Sequence, residues 1–114
     1  MHELSIVMSI VDIAREYAER EQATTVDEIE IDIGCLSTVE MQAFDAAWKQ
    51  GVRNTVLDGA LKTINRIQGE ACCSRCDEIF PIDNAYDACP ACGEHFIVIT
   101  KGKELRVRSL AVSY

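Results

Sequence analysis

Two pairs of cysteines carry the most specific chemistry in this chain. In "CCSRC", Cys73 and Cys76 make one Cys-x-x-Cys, and in "CPACG" Cys89 and Cys92 make another. A gap of two residues allows a tight turn that aims both thiolates at one ion. The twelve residues between the pairs can form a hairpin that brings the two turns together. Four thiolates at tetrahedral corners suit Zn(II), with bonds of about 2.3 Å. A closed four-sulfur site keeps no position for a catalytic water, so the expected role is structural. Gly93, directly after the second pair, suits a knuckle whose backbone N–H groups point at sulfur. Zinc-coupled folding is worth on the order of 10 kcal/mol. That suffices to order a segment whose own core residues are few, chiefly Ile79, Phe80, Ile82, Phe96 and Ile97. Iron in the same cage is the chemical runner-up, and a redox dithiol is third.

The other thiols and the second histidine are read more plainly. Cys72 offers a three-residue gap to Cys76, but Cys73 matches the two-residue gap of the second pair and is preferred. Cys35 follows Gly34 at a strand end and reads as a small buried residue. His95, three residues after Cys92, reads as a strand residue at the module's edge, with substitution for a lost zinc ligand as the sharper alternative.

A second constellation is the opening "MHE". The terminal amine of Met1, the His2 imidazole and the backbone nitrogens of His2 and Glu3 can form a planar nitrogen set. Such a set favours Ni(II) or Cu(II) over zinc. The site would be exposed and open to exchange, which suits a carrier, and it would lose metal as pH falls through the imidazole range. The plain alternative is an incidental histidine at a frayed terminus.

These residues need elements to position them. Leu4, Val7, Met8, Val11, Ala14 and Ala18 recur at helical spacing, and Ile6, Ile10, Ile13 and Tyr17 widen the stripe. The pattern predicts an amphipathic helix from about Ser5 to Glu21. "VDEIEIDIG" alternates strictly: Ile29, Ile31 and Ile33 face a core while Glu28, Glu30 and Asp32 face water. "STVE" reads as a capping box, with Ser37 capping a helix and Glu40 reaching back. That helix runs to about Gln50, stops at Gly51, and supplies Val39, Phe44, Ala47 and Trp48 to the core. A strand from about Ala60 to Ile67 follows Gly59, and strand–helix–strand order suggests a parallel crossover pair. In the closing strand, Leu105 and Val107 share one parity and Leu110 and Val112 the other, so a bulge is expected near Ser109. The expected fold is α/β: a small mixed sheet of about three strands with two helices, plus an inserted zinc-ribbon-like module. The expected domains are residues 1–68 with 101–114, binding nickel, and residues 69–100, binding zinc.

Bulk properties narrow the function. A 114-residue chain that is 48% apolar and 26% charged reads as one globular domain rather than a disordered one. A net charge of −8 argues against nucleic acid and against anionic membrane surfaces. In the cysteine-rich insert, Arg75 is the main base against Asp77, Glu78, Asp83, Asp87 and Glu94. The first apolar stretch lacks a basic leader and is broken by Asp12, Arg15 and Glu16, so a cytoplasmic location is expected, where clustered thiols bind metal rather than pair. No nucleophile–base arrangement and no phosphate-binding glycine loop is visible, so no enzyme is expected. A zinc-ribbon interaction module without a nickel role is the alternative.

"MHELSI", "IGCLSTVE", "CSRC" with "CPACG", and "GKELRVRSL" occur here in that order, spanning essentially the whole chain. Together they resemble the HypA/HybF family of hydrogenase nickel-incorporation proteins. The resemblance implies a nickel metallochaperone acting on [NiFe] hydrogenase and, in some bacteria, on urease. It implies that Met1, His2 and Glu3 form the site for transported Ni(II), with Glu3 acting through its amide, its carboxylate or by positioning. It also implies that Cys73, Cys76, Cys89 and Cys92 hold structural zinc. The implied partners are a nickel-handling GTPase of the same pathway and the hydrogenase large-subunit precursor; homodimerisation is left open.

Overall fold

The computed structural model describes residues 2–114. Its elements run α1 (Glu3–Arg20), β1 (Thr25–Gly34), α2 (Met41–Gly51), β2 (Leu61–Ile67), β3 (Gly69–Cys73), β4 (Ile79–Ile82), β5 (Ile97–Lys101) and β6 (Leu105–Ser113). They make two three-stranded sheets, ordered β2-β1-β6 and β4-β3-β5. Contacts gather the chain into two compact units. One holds the described residues up to Ile31, with Thr38–Ile64 and Val107–Tyr114; the other holds Asp32–Ser37 and Asn65–Arg106.

Sheet order β2-β1-β6 is mixed. Cys35 N–H donates to Ile67 O at 2.8 Å, and the Asn65 amide donates to Asp32 Oδ1 at 3.0 Å. These partners advance together along the chain, so β1 and β2 run parallel across the α2 crossover, as strand–helix–strand order suggests. Against β6 the partners advance oppositely: Thr24 N–H donates to Ser113 O, and Gly34 N–H donates to Glu104 O. That pairing is antiparallel.

The helices form because their apolar residues fall on one stripe. In α1 the buried positions are Ile6, Val7, Ile10, Val11, Ala14 and Ala18. Leu4, Met8 and Ile13, expected in that stripe, lie at its flanks and remain 43%, 39% and 49% exposed. The helix ends in a Schellman turn: Ala23 N–H reaches Ala18 O, Gln22 N–H reaches Glu19 O, and Gln22 takes φ +55°. In α2, Phe44 and Trp48 are buried with their rings 5.9 Å apart. Lys62 lies over both rings and donates to Asp45 at 3.0 Å, tying the start of β2 to that helix.

Two local expectations are corrected. Ser37 does not cap α2; its hydroxyl donates to Gly34 O at 2.7 Å. Glu40 is the N-cap, and its carboxylate accepts from Gln42 N–H at 3.2 Å and Ala43 N–H at 2.7 Å. The carboxylate assigned to the third helical position acts three positions earlier, as the cap itself, because helix geometry begins only at Met41. Asp32 does not face water either. It is fully buried, and it accepts from Asn65 on β2 and from Arg106 Nε on β6 at 3.0 Å each. The parallel and antiparallel neighbours lay polar side chains over it, and a buried carboxylate requires such partners. Cys35, expected to be buried, is exposed.

On β6, exposure alternates up to Arg108 and resumes with opposite parity after Ser109. That is the parity change expected from Leu105, Val107, Leu110 and Val112.

In the second unit, Ala71, Cys73, Phe80, Ile82 and Cys89 form a core packed by Leu36, Ile97 and Ile99. The chain crosses itself closely here. A Cβ on Gly34 would lie 1.9 Å from Gly102 O, so only glycine fits. Ile79 and Phe96, expected in this core, are 63% and 78% exposed instead.

The reassigned cap is testable. Glu40→Ala should cost about 1 kcal/mol and lower the melting temperature by roughly 4–8 °C. It should speed hydrogen exchange at the Gln42 and Ala43 amides, and Ser37→Ala should leave those two amides unchanged.

Candidate metal centres

The cysteine cluster is one loop built twice. In the first copy, Cys73 N–H donates to Glu78 O at 2.8 Å and Asp77 N–H to Cys73 O at 3.1 Å. In the second, Cys89 N–H donates to Glu94 O at 2.9 Å and Gly93 N–H to Cys89 O at 2.8 Å. The residue after each second cysteine is left-handed, Asp77 at φ +62° and Gly93 at φ +79°. Glycine adopts that conformation freely, and Asp is among the few other residues that tolerate it. The first loop is itself the turn between β3 and β4, and the second precedes β5. The hairpin expected between the two pairs is thus a hairpin closed by the first pair.

Cys73 and Cys89 are buried, and Cys76 and Cys92 are exposed. All four sulfurs lie within 4.8 Å of one another. Cys73 Sγ is 3.6 Å from Cys92 Sγ, and Cys76 Sγ is 3.6 Å from Cys89 Sγ. A tetrahedral ion with bonds of about 2.3 Å sets its sulfurs about 3.8 Å apart, so this donor set fits a four-thiolate metal. Among the described residues it is the one grouping of three or more metal-type donors, and Cys35, Cys72 and His95 lie outside it. Cys73, not Cys72, therefore belongs to the cluster; Cys72 sits on the opposite face of β3.

Backbone amides prepare the cage for a cation. N–H groups of Cys76 and Arg75 point at Cys73 Sγ from 3.5 and 3.4 Å. Led by the Cys76 amide, they bring the Cys73 thiol down to about 7 despite its burial. For Cys76, the Glu78 amide pulls downward but is outweighed by burial and by the neighbouring sulfurs of Cys89, Cys73 and Cys92, and the thiol is pushed up to about 12. Cys92 is raised as well: the Glu94 amide, which lowers it, is overcome by burial and by Cys73. Of these three thiols, Cys73 is thus the one most readily ionised. A soft divalent ion bound by these sulfurs would displace their protons.

At the amino terminus, Met1 lies outside the described residues. His2 is exposed and is the N-cap of α1, with φ −83° and ψ 120° and no side-chain capping bond. Ile6 N–H to His2 O, at 3.3 Å, opens the helical ladder. The amides ahead of Ile6 thus have no acceptor four residues back in the helix. Glu3 Oε2 accepts the Glu40 N–H at 3.2 Å, and this bond holds the Glu3 carboxyl below the usual carboxylate range. The link is strongest with Glu3 charged, and it is lost as pH falls through that lowered range. Glu3 and Glu40 thereby join the starts of the two helices. No sequence pattern signals this bond, because the two residues are far apart in the chain.

The sequence model of one protein family, described as hydrogenase/urease nickel incorporation, metallochaperone, HypA, matches residues 1–112. The chain belongs to the HypA family. The hydrogenase maturation factor HypA of Parabacteroides distasonis is 42% identical over 112 residues, covering 98% of this chain and 97% of that protein. Its counterpart in Chlorobaculum parvum is 38% identical, covering 98% and 99%. The solution structure of the nickel metallochaperone HypA from Helicobacter pylori matches with a TM-score of 0.72 at 28% identity, covering 99% of this chain and 98% of that one. The family consists of metallochaperones for hydrogenase nickel incorporation; its members are maturation factors and not enzymes. Among the described residues, no helix is long and apolar enough to cross a membrane.

The cluster's register and chemistry can be checked together. Elemental analysis of purified protein should find bound metal in Cys72→Ser and none in Cys73→Ser. Metal affinity in the parent protein should fall progressively as pH is lowered, because protons compete for the thiolates, and more steeply below about 7, where Cys73 takes up its proton too.

Proposed function

We propose that this HypA-family protein carries Ni(II) at its amino terminus and passes it on during [NiFe] hydrogenase maturation, with urease as a further client. The observation that supports this reading is the start of α1. His2 presents an imidazole not used for capping, ahead of backbone amides that no helical hydrogen bond consumes. Ni(II) favours planar nitrogen donors. The set is the Met1 amine, the His2 imidazole and the amide nitrogens of His2 and Glu3. Two ionised amides neutralise the divalent ion, so the complex carries no net charge into the positive field of a helix N-terminus. That same field favours loss of the amide protons. Glu3 belongs to the nickel site through its amide, while its carboxylate, engaged by Glu40 N–H, orients the turn. Planar coordination leaves both axial approaches open, so a docked acceptor can replace ligands one at a time. The ion is cargo, held with moderate affinity.

Cys73, Cys76, Cys89 and Cys92 hold the resident ion, for which zinc is our assignment. When bound, zinc supplies structure and no reaction. The surrounding amides of Arg75 and Cys76 stabilise sulfur charge, and the two knuckles hold the four sulfurs in place. In this reading residues 1–68 with 101–114 handle nickel, and residues 69–100 form the zinc module. The partners are a nickel-handling GTPase and the hydrogenase large-subunit precursor, and the setting is the cytoplasm.

Calorimetric titration of zinc-loaded protein with its native N-terminus tests the nickel site. Roughly one Ni(II) per chain should bind, with the visible band of planar diamagnetic nickel. His2→Ala and a variant with one extra N-terminal residue should each lose it, and Glu3→Gln should retain it. Equal binding by all of these proteins, or by none, would leave a zinc-stabilised interaction module with no nickel role.

A further inference from the structure

The sheet β4-β3-β5 has two faces of opposite character. Its inner face is filled by Ala71, Cys73, Phe80 and Ile82. On the outer face, strand register sets Ile79 on one side of Cys72 and Val98 on the other. Ile79 is 63% and Val98 59% exposed, with Cys72 half-buried between them. Phe96, two residues before Val98 and of the same parity, is 78% exposed. Its backbone is tied to the first knuckle, because its carbonyl accepts both the backbone N–H and the hydroxyl of Ser74. A row of apolar side chains thus stands exposed on this face, opposite the packed inner one. Such patches on small proteins mark interaction surfaces.

The charge around the row selects the occupant. Between residues 69 and 100, Arg75 is the one Lys or Arg against Asp77, Glu78, Asp83, Asp87 and Glu94, while Glu70 is paired with Lys101 at 3.3 Å. Asp77 and Glu78 immediately precede Ile79, and a divalent ion on four thiolates adds further negative charge. A second copy of this chain, itself at −8, would set acid against acid in a two-fold contact. Nucleic acid and anionic lipid are repelled in the same way.

We propose that this face docks a protein partner that presents an apolar side chain encircled by Lys and Arg. Apolar contact with Ile79, Cys72, Val98 and Phe96 supplies burial, and the acidic rim supplies orientation and encounter rate. The contact also bears on β3, the strand that ends at Cys73, so an occupied face stiffens the first metal knuckle. The inference goes beyond the nickel reading and does not depend on it.

The test uses the zinc-loaded full chain, isotope-labelled for NMR, with two synthetic amphipathic helical peptides: one of leucine and lysine, the other with glutamate replacing every lysine. The lysine peptide should shift the amides of Cys72, Ile79, Phe96 and Val98, and the glutamate peptide should not. Val98→Asp and Phe96→Ser should each weaken binding about tenfold with zinc content and nickel stoichiometry unchanged. Glu78→Lys should weaken it about threefold, and less so at high salt. Leu61→Asp, at an exposed apolar site elsewhere, should change nothing. The proposal fails if shifts spread over acidic residues throughout the chain, if Val98→Asp and Phe96→Ser bind like the parent, or if both peptides bind alike. It also fails if sedimentation shows a dimer that Val98→Asp dissociates, since the face would then serve a second copy. Should Val98→Asp lose zinc, Phe96→Ser, outside the sheet ladder, decides. Nickel titration of the same variants is an independent readout, so failure here leaves the nickel proposal standing and the converse also holds.

Discussion

Four sulfurs within 4.8 Å of one another are a demanding arrangement. Neutral thiols gain little from such crowding, and four bare thiolates would repel one another strongly. The surrounding chain is built to hold them there nevertheless. Each pair sits in a knuckle closed by two backbone hydrogen bonds, and amides turn toward sulfur at Cys73. The inner face of the β4-β3-β5 sheet then packs on Cys73 and Cys89 as though they were ordinary core residues. A unit with so few buried side chains would gain most of its order from a metal at that centre, because area burial alone offsets little of the entropy of ordering Asp32–Ser37 and Asn65–Arg106.

The other unit rests on conventional terms. α1 and α2 bury apolar stripes, while Ile29 and Ile31 of β1 are almost completely covered. Its distinctive feature is the bond from Glu40 N–H to Glu3. Glu40 caps α2 with its side chain and offers its amide to Glu3, so a single residue organises both helix starts. Glu3, in the proposed nickel site, is thereby attached to the packed part of the unit. His2 is exposed, yet the neighbouring Glu3 has a fixed place, a combination that would suit a carrier site.

β1 shows how a polar face becomes structural. Glu28 stays in water, Glu30 receives Ser109 and Arg108, and Asp32 is wholly buried under Asn65 and Arg106. The gradient follows coverage by the flanking strands. At Asp32 both neighbours are present and contribute polar groups that match a carboxylate.

Local sequence determined a good deal here. Helical spacing in α1, alternation in β1, the parity change in β6, and the pairing of Cys73 with Cys76 and of Cys89 with Cys92 are all short-range patterns, readable because each element's period is set by its own backbone geometry. Tertiary structure decided what depends on a second segment. It buried Asp32, exposed Ile79, Phe96 and Cys35, moved the cap from Ser37 to Glu40, and turned Cys72 away from the cluster that Cys73 joins. Hydrophobicity states only that a residue gains by burial, and whether a surface exists to bury it is a property of the whole fold. In the small cysteine unit the inner face was filled before Ile79 and Phe96 could be covered, and no run of residues along the chain records that limit.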